Sequence, residues 1–132
     1  MEEQLPSPQL LDAILRHLPA LSDLQRSPGE TVAPPGEMPY YAYHPELLAL
    51  AADLAPLMLA FDWTQWEAEA QLLSQDPGAV ARADFPTLRR LITYHLRRER
   101  FDEGHLARMT QSGHLRPILT RLTELRAALG PA

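Results

Sequence analysis

Leucine and isoleucine recur at helical spacing in several separate stretches of the chain, with polar positions and prolines between them. Leu10, Leu11, Ile14, Leu15 and Leu18 form the first stripe; Ser7-Pro8 supplies a cap and a proline at the first helical position, and Pro19 stops it. Pro45 opens a second helix carrying Leu47, Leu48, Ala51 and Leu54, ended by Pro56. In FDWTQW, residues 61–66, Asp62 and Gln65 have the spacing of a capping box and Phe61 and Trp66 that of a hydrophobic staple. A third helix is therefore expected through Leu72 and Leu73 to about Gln75. Asp76-Pro77 begins a short helical piece, and Asp84 caps the most amphipathic helix of the chain. There Leu88, Leu91, Ile92, His95 and Leu96 share one face, and Arg89, Arg90, Thr93, Arg97 and Arg100 share the other. Asp102 is expected to cap a helix from Glu103 to about Gln111, and Gly113 to close it. The last helix starts near Leu115 and buries Leu115, Ile118, Leu119, Leu122, Leu125 and Leu129.

No alternating strand pattern or hairpin turn pair stands out, so the expectation is a compact all-α domain of about five or six helices with no sheet. Residues 1–36 read as an N-terminal helix and a Pro/Gly-rich linker, SPGETVAPPGEMP at 27–39, that joins a peripheral helix to the main body. Residues 37–132 read as the helical domain, the whole forming one folding unit. At 132 residues the chain buries enough apolar surface to fold without a metal or a disulfide. It has no cysteine, which excludes disulfide scaffolds, thiolate metal sites and thiol nucleophiles; no cofactor or metal is expected. The longest apolar stretch, Leu47 to Phe61, contains Asp53 and Pro56 and is shorter than the roughly 18 to 20 residues of a membrane span. With an acidic N-terminus lacking a signal-peptide pattern, a cytoplasmic protein that does not enter a membrane is expected. All twelve basic residues are arginine, and alanine, leucine and proline abound, which suggests a GC-rich bacterial genome.

The net charge of −5 conceals a division. Residues 1–80 carry twelve acids against Arg16 and Arg26, and residues 81–132 carry ten arginines against five acids. The two halves complement each other within the fold or across a homodimer, or else the basic half meets an acidic partner. The candidate surface for nucleic acid or a protein partner is Arg89, Arg90, Arg97 and Arg100, with Arg116 and Arg121 on the last helix. A candidate pocket gathers Tyr40, Tyr41 and Tyr43 of MPYYAYHP, Trp63, Trp66, and His95, His105 and His114. No two of these histidines have the spacing that puts paired metal ligands on one helix turn, and His95 with Glu99 one turn later reads as a buried His-Glu pair. Arg100 and His105, with four residues between them, match the Arg-x4-6-His motif of a family of bacterial and archaeal ribonucleases. The leading expectation is a non-enzymatic interaction or regulatory module, with nucleic-acid binding by the arginine-rich half second and ribonuclease action by Arg100 and His105 third.

PYYAYH, FDWTQW and LRRLITYHLRRERFDEGHLARMTQSGHLRPILTRL together resemble a bacterial family known as domain of unknown function 6508. The resemblance covers about residues 37–126 and is strongest from Leu88 to Leu122, through Arg97 to Phe101, Gly104 and the Ser112, Gly113, His114 turn. It implies a small helical bacterial domain, brings no established activity, and supplies no catalytic residue. The family often carries cysteine or an apolar residue where this chain has Asp102.

Overall fold

A computed structural model describes residues 6–131. The described residues are mostly helical: α1 Pro8–Leu15, α2 Leu21–Arg26, α3 Pro45–Leu54, α4 Glu67–Ser74, α5 Pro77–Ala81, α6 Phe85–Glu99, α7 His105–Gln111 and α8 Leu115–Ala128. Single 3-10 turns occupy Leu18–Ala20, Ala55–Leu57 and Trp63–Trp66. The count exceeds the expected five or six because prolines divide the chain into short pieces and also start new ones. After Pro19, for example, the chain re-enters a helix at Leu21.

The expectation of no sheet is corrected by an antiparallel pair, β1 Gly29–Val32 and β2 Tyr40–Tyr43, with Gly29 opposite Tyr43 and Val32 opposite Tyr40. The prolines that argued for irregular chain, Pro28, Pro34, Pro35 and Pro39, all flank the strands or lie between them, so no ladder position loses its N–H. The strands themselves hold threonine, valine and tyrosines, which suit a pleated surface. Gly29 is required by close approach, since a Cβ there would run into the Ala42 carbonyl oxygen and the Tyr41 ring.

The core takes side chains from both ends of the chain. Leu11 and Ile14 of α1 are fully buried, and α1 packs on α8 and α3, so this helix is not peripheral. Just past it, His17 is 2% exposed and sits between two carboxylates of α3. Its Nδ1 is 2.7 Å from Glu46 Oε1 and its Nε2 is 2.6 Å from Asp53 Oδ2. Arg16 donates to the same Asp53 oxygen at 2.9 Å. The His17 and Arg16 contacts hold the Asp53 carboxyl below its ordinary range.

Helix α6 lies at the centre, with Leu88 and Leu91 buried inside. Its expected arginine face is half covered. Thr93 is fully buried, accepts from the Leu59 N–H at 2.8 Å and donates back to the Arg89 carbonyl at 2.7 Å. The helix starts where it was expected: Asp84 Oδ1 accepts the Thr87 N–H at 2.8 Å. Asp84→Ala is therefore expected to lower stability by about 1 kcal/mol and the melting temperature by about 4 °C, read by thermal circular dichroism. An unchanged melting temperature would show that the cap contributes nothing.

Candidate functional site

The segment from Arg97 to Leu119 contains two Gly-His pairs, and each pair turns a helix end into the start of the next helix. Gly104 has φ +92° and Gly113 has φ +86°, a left-handed conformation that glycine adopts without strain. The first turn makes His105 the opening residue of α7, and the second makes His114 the residue before α8. After Gly113 the chain folds back on α7 as expected, the Gly113 N–H donating to the Thr110 carbonyl and the His114 N–H to the Met109 carbonyl. Both turns deliver their histidines to His95 in the middle of α6.

The three rings form a hydrogen-bonded chain. His95 Nδ1 is 2.9 Å from His105 Nε2, and His95 Nε2 is 3.1 Å from His114 Nε2. The His114 nitrogen is also 3.5 Å from Ser74 Oγ. His95 is 3% exposed, His114 5%, and His105 half-buried. Ser74 fixes the direction of the chain. Its hydroxyl proton goes to the Ala70 carbonyl at 2.8 Å, so the arrangement in which Ser74 also accepts from His114 puts the His114 proton on Nε2. His95 then accepts on Nε2 and donates from Nδ1–H, and His105 accepts on Nε2. Because the two nitrogens of His95 serve different partners, the rings share no single point; among the described residues no three such groups converge as metal ligands do.

Burial keeps this chain neutral. It pushes His95 well below the ordinary histidine value, with the charges on His114 and His105 adding to the effect. It pushes His114 down to about 4, helped by His105. His105 is lowered by burial too, against the pull of the Asp102 carboxylate.

The expected His95-Glu99 pair is corrected. The Glu99 carboxylate instead accepts the Leu106 N–H at 2.9 Å and the Gly104 N–H at 3.4 Å, where the start of α7 leaves donors unsatisfied. The Tyr43 hydroxyl accepts from the same Gly104 N–H at 2.8 Å. Burial and Glu99 raise the Tyr43 hydroxyl above its ordinary value. Asp102 does not cap α7 either; it pairs with Arg108 at 2.7 Å and faces Arg98 at 3.6 Å. Asp62 likewise makes no capping bond, accepting instead from the Thr64 hydroxyl, although the expected Phe61-Trp66 contact is present with ring centroids 6.0 Å apart.

A second feature lies at the C-terminal end of α6. Leu59, Ala60, Phe61, Trp63, Arg97, Arg100 and Phe101 line an open groove of about 410 Å³. Phe101 is 78% exposed and stacks on Trp63, with centroids 5.9 Å apart and planes 25° apart. Just before Leu59 the chain is held by Arg89, which donates to the carbonyls of Leu57 and Met58 at 2.8 and 3.4 Å. The guanidinium groups of Arg97 and Arg100 have no hydrogen bond or ion pair among the described residues.

The predicted arginine surface is thus divided. Arg116 donates to Ser22 at 3.1 Å, Arg121 to the Ala83 carbonyl at 2.8 Å and to Glu124 at 2.9 Å, and Arg90 is exposed beside Asp84. Of the six arginines, Arg97 and Arg100 line one groove. The predicted pocket is divided as well. Tyr40 and Tyr41 line a separate cleft of about 480 Å³ with Glu103 and Arg108, whose polar groups are already engaged: Glu103 accepts the Tyr41 N–H at 2.7 Å. Trp63 belongs to the arginine groove, Trp66 packs on Phe61, and the histidines are inside. Sequence reasoning missed Phe101, Tyr94 and Ser74 as members of these sites. For Phe101 the available signal was a large aromatic residue among charges at a helix end.

No curated protein and no solved structure matches the chain. The profile of one family does, over residues 6–128, which includes α1 and β1 as well as the 37–126 stretch that carries the resemblance. The chain belongs to the family of unknown function DUF6508.

Proposed function

We propose that this protein is a non-enzymatic interaction module whose groove at the end of α6 takes an acidic segment of a partner protein bearing an aromatic or long aliphatic side chain. The observation that carries this reading is the pairing of two unpartnered guanidinium groups, Arg97 and Arg100, with an aromatic wall that leaves Phe101 78% exposed. An exposed ring stacked on Trp63 offers apolar contact, and the arginines beside it offer charge-assisted hydrogen bonds to carboxylates.

The same geometry weighs against a phosphate track, which needs a row of cations. Arg89, Arg116 and Arg121 are engaged within the fold, which leaves two arginines at the groove and no continuous row. It also weighs against hydrolysis by Arg100 and His105. The acceptor nitrogen of His105 is occupied by His95, and the arginines acting on its ring are Arg108 and Arg98.

Fluorescence anisotropy at pH 7.5 tests the reading, with a labelled peptide of alternating glutamate and phenylalanine and with labelled single-stranded oligothymidylate. The peptide is expected to bind, and Arg97→Ala/Arg100→Ala or Phe101→Ala to weaken it by about tenfold or more. Tighter, steeply salt-dependent binding of the oligonucleotide would assign the groove to nucleic acid instead.

A further inference from the structure

The groove and the histidine chain are connected by rings. Phe101 stacks on Trp63, Trp63 meets Tyr94 edge-on, and Tyr94 touches both His95 and His105, at centroid separations of 5.9, 6.0, 5.4 and 6.1 Å in turn. Phe101 and His105 also bound the same chain reversal between α6 and α7. A movement of one therefore reaches the other by two routes.

In the neutral state each link of the histidine chain has one donor and one acceptor. A further proton finds no vacant link. His95 Nε2 and His105 Nε2 already accept, so the added proton must enter at His114 Nδ1 or break a bond. Either way it makes the chain cationic where the lining is apolar: α3 contributes Leu54, α6 Ile92 and Leu96, α7 Leu106 and Met109, and α8 Leu115 and Ile118. Beside His114, α4 offers only the neutral Ser74. The charged groups that face the chain act at its His105 end. Asp102 and Glu99 favour a cation there, and Arg108 and Arg98 oppose it. His105 is also the half-buried member, so it is the ring that can carry a proton out to water.

We infer that the His105-His95-His114 chain is an acid-operated latch on the groove: proton uptake expels His105 from beside His95, the Phe101–Gly104 turn moves with it, and the Trp63-Phe101 wall opens. As regulation of binding, this rests on the function proposed above; as a conformational change, it does not. Release of a groove occupant on acidification is its consequence.

The test uses the full chain carrying Trp66→Phe, which leaves Trp63 as the single tryptophan of the two. Acrylamide quenching and far-ultraviolet circular dichroism are followed together as the pH is lowered. Quenching of Trp63 is expected to rise about twofold while helical signal is retained, as for local opening below the global transition. The rise should set in below the ordinary histidine value of 6.5. His105→Gln supplies an amide oxygen for the His95 Nδ1–H but cannot take a proton, and should abolish the rise. Phe101→Ala, a change at an exposed position, should leave Trp63 equally quenchable at both ends of the titration. Constant quenching down to the loss of helicity, or a rise unchanged in His105→Gln, would overturn the latch. No ligand enters this measurement: a peptide that fails to bind at pH 7.5 sinks the proposed function and leaves the latch standing, and a flat Trp63 response does the reverse.

Discussion

Replacing His95 with alanine is expected to cost about 3 kcal/mol of stability, a large share of the roughly 5 to 15 kcal/mol that holds a domain folded. The loss has two sources. Removing the ring leaves His105 Nε2 and His114 Nε2 without their partner in an interior that is 3% exposed at this position. It also enlarges an apolar cavity of about 20 Å³ that already borders His95. Urea unfolding of the variant beside His95→Phe separates the two, since phenylalanine restores most of the volume and none of the hydrogen bonds. If both variants unfold at the wild-type midpoint, the chain contributes nothing to stability.

Acidification is expected to have an effect of similar size. Below the ordinary histidine value of 6.5 the unfolded chain takes up protons at these positions more readily than the folded chain, so the unfolded state binds more protons and stability falls as pH falls. The contribution is fully present above pH 6.5 and is lost on the way down to the folded value, about 4 for His114. For His114 alone that difference corresponds to roughly 3 kcal/mol. Asp53, Asp84 and Asp102 have lowered values, so their contributions are lost only below the ordinary carboxylate value of 3.8, beneath the histidine window. Unfolding midpoints at pH 7.5, 6 and 5 should therefore decline stepwise, and His114→Gln should flatten the decline. Equal midpoints across that range would refute neutral burial of the three rings.

The main helices were legible because their apolar spacing and their punctuation agree. Ser7 accepts the Leu10 N–H, Asp84 accepts the Thr87 N–H, and Gly113 turns the chain after α7, each as its position in the sequence requires. The hairpin was not legible because its strands are four residues each and lie among prolines, which read as irregular chain until the pairing shows that every proline falls outside the ladder. The histidine chain was hidden for a different reason. Its members are ten and nineteen residues from His95, and helical periodicity carries no information across two chain reversals. Glu99 was assigned to His95 because it lies one turn away, but the unsatisfied N–H groups at the start of α7 have the stronger demand for a carboxylate. The Arg97 and Arg100 side of α6 was visible as charge. Which arginines were already held by carbonyls and carboxylates depended on segments far away in sequence, such as Leu57–Met58 and Ser22.

The two Gly-His pairs also make α7 a ruler. His114 follows His105 by nine positions, and the helix that His105 opens sets both the distance and the rotation at which the second turn begins. One residue inserted into or deleted from α7 would rotate everything after it by about 100°, carrying His114 away from His95 and the apolar face of α8 away from α1 and α5. The loop between β1 and β2 bears no such constraint. Length variation in this fold can therefore collect in the hairpin loop, whereas α7 tolerates a change of letter far better than a change of count.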